Sequence, residues 1–77
     1  MKITRIDTPT KHLGRITCWS GLASNGKEKF EWFYTPRKRF AVRKQEPSMP
    51  QAWMYVDPPK GLKRAVLKTV RAANRIF

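Results

Sequence analysis

Thr17-Cys18-Trp19-Ser20-Gly21-Leu22-Ala23-Ser24-Asn25-Gly26-Lys27-Glu28-Lys29-Phe30-Glu31-Trp32-Phe33-Tyr34 is the stretch on which the fold turns. Asn-Gly is the strongest short hairpin signal, because both central residues of a type I′ turn need positive φ. Residues 13–23 and 27–34 therefore read as two antiparallel strands joined at Ser24-Asn25-Gly26-Lys27. With Asn25 and Gly26 as the turn, Ser24 faces Lys27 and Trp19 faces Trp32. Alternation then sorts the side chains. One face carries Thr17, Trp19, Gly21 and Ala23 beside Glu28, Phe30, Trp32 and Tyr34. The other carries Ile16, Cys18, Ser20 and Leu22 beside Lys29, Glu31, Phe33 and Thr35. The first face is aromatic and almost uncharged; the second mixes groups as a partly wetted face does.

Working outward, Thr35-Pro36-Arg37-Lys38 is a second turn and Arg39 to Lys44 a third strand. An odd loop sets Phe40 and Val42 beside Trp32, and an even loop sets Arg39 and Arg43 there. The odd count is preferred because it separates apolar from charged groups. Residues 45–51 read as a loop with two prolines, and Ala52 to Val56 as a fourth strand. At the other end, residues 1–12 form a polar entry broken at Thr8-Pro9-Thr10, with a short strand from Ile3 to Ile6.

Asp57-Pro58-Pro59 reads as a helix start, with Asp as cap and Pro in the first turn, and the helix should run to near Arg75. Leu62, Ala65, Val66, Val70, Ala72, Ala73, Ile76 and Phe77 fall in one arc. That arc needs a large apolar partner, and the aromatic sheet face supplies it, so Trp19, Phe30, Trp32 and Tyr34 are expected as core rather than as a base-stacking platform. The expected fold is α+β: an antiparallel sheet of three or four strands with one C-terminal helix on one face, as a single domain over residues 1–77.

Charge points to the partner. Seventeen Lys and Arg face five Asp and Glu, a net +12 on 77 residues. Such a field repels itself and calls for a polyanion. Lys60, Arg64, Lys68, Arg71 and Arg75 form one stripe on the helix, with no acid interleaved. Arg37, Lys38, Arg39 and Arg43 make a second cluster. Arginine and lysine in such lines suit phosphate contact, while reading of base edges needs further polar groups, of which the helix offers only Asn74. The expected function is thus non-catalytic binding of DNA or RNA. The alternative is an accessory factor or inhibitor that binds an acidic protein, with Phe33, Leu67 or Phe77 as apolar anchor. Phe33 with Leu22 would also serve a homodimer contact.

His12 and Cys18 are too few for a four-ligand zinc site and lack an orienting third group for nucleophilic chemistry. No glycine-rich phosphate loop occurs, so neither enzymatic activity nor a cofactor or metal is expected. The lone Cys18 excludes an internal disulfide and suits a reducing cytoplasm. Met1-Lys2-Ile3-Thr4-Arg5-Ile6-Asp7 lacks the apolar run of a secretory signal, and no stretch reaches the length of a membrane span.

Overall fold

The computed structural model describes residues 1–37, 39–46 and 48–76. The chain runs β1 (Lys2–Ile6), β2 (Thr10–His12), β3 (Arg15–Ser24), β4 (Lys29–Tyr34), β5 (Phe40–Glu46), β6 (Met49–Val56) and α1 (Leu62–Ala73). The fold is α+β, but the antiparallel sheet has six strands where three or four were expected. Its order is β1-β3-β4-β5-β6, with β2 pairing further along β3.

Face assignment follows the alternation. Trp19, Ala23, Phe30, Trp32 and Val42 are buried and pack against Leu62, Val66 and Val70 of α1. Trp32 pairs with Val42 and Tyr34 with Phe40, which is the odd loop. The opposite face is left open by the helix, and its Cys18, Ser20, Leu22, Glu31 and Phe33 are half-buried. Ile76 is exposed, so the apolar arc of α1 ends sooner than its sequence suggests; Phe77 lies outside the described residues.

The hairpin register differs from the expected one. Ser24 pairs with Lys29 and Trp19 with Tyr34, so the loop holds four residues rather than two. The shift is even, and every side chain keeps its face. The cause lies in Asn25, which keeps negative φ while Gly26 alone is at φ 93. The Asn25 Oδ1 accepts the Lys27 and Glu28 N–H groups at 3.0 and 2.8 Å, an Asx arrangement that replaces the type I′ turn. Lys44, hydrogen-bonded to Glu28, and then the Asn25 amide hold the Glu28 carboxyl below its ordinary value of 4.5. Because the folded-state value is the lowered one, this contribution is present above pH 4.5 and is lost as pH falls through the depressed value. A carbon-detected NMR titration should show the Glu28 midpoint rising in Lys44→Ala; an unmoved midpoint would assign the shift to Asn25.

The two-residue turn with both residues at positive φ occurs elsewhere, at Leu13 (φ 51) and Gly14 (φ 80), between β2 and β3. The entry expected to be irregular thus contains β2, whose His12 pairs with Arg15. Leucine in the left-handed region is strained by about 1–2 kcal/mol. Leu13→Asn should therefore stabilise the fold by about 1 kcal/mol, read as a raised midpoint in urea unfolding at unchanged slope. A lowered midpoint would mean that the leucine makes a contact that outweighs the strain.

The 45–51 segment is also mostly sheet: Gln45 pairs with Trp53 and Glu46 with Met49 across an irregularity, so β5 and β6 are longer than expected. Pro50 is accommodated because β6 is an edge strand, and its carbonyl accepts the Gln45 side-chain amide at 2.6 Å.

The helix begins at Leu62, not Pro58. Pro59 steers Pro58 away from the helical region, as any proline does to the residue before it. Gly61 then stands at φ 82, outside the helix, and no side chain caps the first turn. The Leu62 N–H donates instead to the Pro59 carbonyl at 3.1 Å. Asp57 therefore does not cap α1, and Lys60 precedes it.

Candidate nucleic-acid interface

Of the helix stripe, Arg64, Lys68 and Arg71 lie within α1, and Arg75 follows in the turn after Ala73. All four are exposed and surround an open concavity of about 580 Å³ floored by Leu67 and Ala72. They converge because the spacings of four, three and four residues keep them on the helix side opposite Leu62, Val66 and Val70. Lys60, displaced from the helix, is not among the lining residues.

A second concavity, about 520 Å³, lies where the β4–β5 turn meets the start of β3. Arg37 and Arg39 line it from the turn, and Arg15 with Thr17 from β3. Arg15 is a functional candidate that the sequence did not single out. It stands 22 positions from Arg37, and only the antiparallel pairing of β3 with β4 brings the two to one end of the sheet. The neighbouring segments 8–17 and 35–42 contain no acid, and Glu28 and Glu46 lie in or beside the loops of the opposite end; Asp57, which follows β6, is an acid at this end, three strands across from β3. Lys38 lies outside the described residues.

Arg43 has a different setting. It is half-buried on the open face, where its guanidinium pairs with Glu31 and sits 5.2 Å from the Phe33 ring centre and 5.8 Å from that of Tyr55. Alternation gives Arg39 and Arg43 the same side, and what sets them apart is four residues of strand, about 13 Å at the usual rise. Among the described residues, the ion pairs are Arg43–Glu31, Lys44–Glu28 and Arg5–Asp7. Arg15, Arg37, Arg39, Lys60, Arg64, Lys68, Arg71 and Arg75 take part in none of them.

Among the described residues no three of the His, Cys, Asp and Glu side chains come together as a metal ion would require. Among them, too, no helix is long and apolar enough to cross a membrane. No protein-family model, curated protein or solved structure matches the chain.

Proposed function

We propose that the protein binds nucleic acid without catalysis, mainly through phosphates. One observation carries the reading: in a chain of net +12, the acid-paired cations are set apart from two exposed groups, Arg64/Lys68/Arg71/Arg75 and Arg15/Arg37/Arg39, whose concavities are lined by no acid among the described residues. Bringing like charges together opposes folding. A partner rich in phosphate offsets that repulsion, and release of its condensed counterions supplies the affinity. Lys60, Lys38 and Arg43 remain proposed contributors, Arg43 only through exchange of its Glu31 partner.

A gel-shift titration on random duplex, single-stranded DNA and RNA at two salt levels tests this. Contact with about six phosphates of a duplex predicts a slope near −5 for log affinity against log salt. A second reading draws on Leu67 and Ala72 lying between four cations, a mixed surface that also suits an acidic protein as inhibitor target or accessory partner. Salt-insensitive, weak binding to every nucleic acid tested would overturn the first reading and favour the second.

A further inference from the structure

Leu13 combines two unfavourable features. It is 90% exposed, and it holds a left-handed backbone conformation that Asn or Gly would adopt with less strain. It forms the tip of a two-stranded ribbon. Pairing of β3 with β4 stops at Trp19–Tyr34, so Arg15 to Cys18 of β3 are paired with β2 alone. That portion is about 13 Å long at the usual rise of a strand. Its exposed flanks carry Lys11, His12 and Arg15, and Arg15, paired with His12 beside the tip, joins Arg37 and Arg39 in the cationic concavity that runs along Arg15 to Thr17. An apolar tip flanked by cations thus stands at a corner of the sheet whose neighbouring segments, 8–17 and 35–42, contain no acid.

We infer that this ribbon enters the major groove of duplex DNA, with Leu13 against thymine methyl groups and Arg15, Arg37 and Arg39 along its edge on the flanking phosphates. The inference rests on the nucleic-acid reading above and narrows it to a duplex of B form. A two-stranded ribbon fits a groove about 12 Å wide, and the minor groove is about half that. The thymine C5-methyl is the apolar group on the major-groove floor. RNA lacks it, and its major groove is too deep and narrow for side chains to read. The cations supply affinity for any sequence, and Leu13 adds a preference for methylated pyrimidine.

The test compares poly(dA-dT) with poly(dA-dU), which differ by that methyl, for the intact chain and for Leu13→Gly. Glycine adopts positive φ without strain, so the variant is expected to keep the circular dichroism of the parent. The parent should bind the thymine polymer about fourfold or more tightly, the factor that burial of one methyl-sized group provides. Leu13→Gly should bind both polymers alike while keeping the parent's salt slope. Equal binding of both polymers by the parent, or a preference that survives in Leu13→Gly, would overturn the ribbon's role and leave phosphate binding standing. Failure of the parent to bind either polymer would overturn the duplex inference, and would overturn the nucleic-acid reading itself if single-stranded DNA and RNA were not bound either.

Discussion

Simultaneous replacement of Arg64, Lys68 and Arg71 by Glu is expected to weaken nucleic-acid binding on the order of 100-fold or more while leaving the far-ultraviolet circular dichroism of the folded protein intact. The three side chains are exposed and lie opposite the buried Leu62, Val66 and Val70, so the core is untouched. Helix stability should change little. A Glu at position 64 meets the favourable N-terminal end of the helix dipole, and one at 71 the unfavourable C-terminal end. Binding is different, because three phosphate contacts become repulsive. If about six phosphates are engaged, the salt slope should flatten from near −5 to about −3, and affinity at moderate salt should fall on the order of 100-fold or more. A control separates site from bulk charge. Lys2, Lys27 and Lys29 are exposed at the end of the sheet away from Arg15, Arg37 and Arg39 and line neither cationic concavity, and their triple replacement by Glu makes the same change in net charge. That control should lose far less affinity. An equal loss in both triples would mean that net charge alone governs binding and that the helix cluster is only a solvated face.

Gly21→Ala should have the largest effect on stability. A Cβ at Gly21 would overlap the Arg5 carbonyl oxygen and stand 2.6 and 2.9 Å from Cζ2 and Cε2 of Trp32. The first obstacle is backbone in the neighbouring strand β1, and the second is the ring of a fully buried tryptophan, so neither is a flexible chain end that can swing aside. Overpacking of this kind costs about 1–3 kcal/mol where the surroundings can yield, and more where they cannot. A domain of this length has little to spare. The variant is expected to unfold at a much lower urea concentration, or to lose β1 from the sheet, which hydrogen exchange at Ile3 and Ile6 would reveal. Unchanged stability would show that β1 does not approach β3 as closely as the register places it. The same closeness explains why the aromatic face contains a glycine at all: the Trp32 ring occupies the volume where a side chain would stand.

Much of this fold was legible in local sequence. The alternation around Trp19 and Trp32 assigned the buried and open faces correctly even though the turn length was misread. The reason is that a shift of two residues preserves every face, so the pattern constrains parity more strongly than register. The loop parity before Phe40 followed from the same separation of apolar from charged groups. The helix face was readable because Leu62, Val66 and Val70 recur at four-residue intervals. Its start was misread because two prolines and a glycine carry opposing signals, and the restriction that Pro59 places on Pro58 outweighs the capping tendency of Asp57. Strand β2 left almost no trace: three exposed residues, Thr10 to His12, show no apolar alternation, and Leu13 is a poor advertisement for a tight turn.

The candidate site divides in the same way. Arg64, Lys68, Arg71 and Arg75 share a surface because helical geometry acts over a few residues, and that much the sequence determined by itself, together with the net charge, the aromatic core and the mixed α and β content. The tertiary structure alone decided that Arg15 stands with Arg37 and Arg39, that Arg43 is held between Glu31, Phe33 and Tyr55, and that Leu13 crowns a ribbon at the cationic corner. Those relations depend on strand pairing between distant segments. Pairing is set by the collective burial of Trp19, Trp32, Val42 and the helix, and no local pattern encodes such a sum.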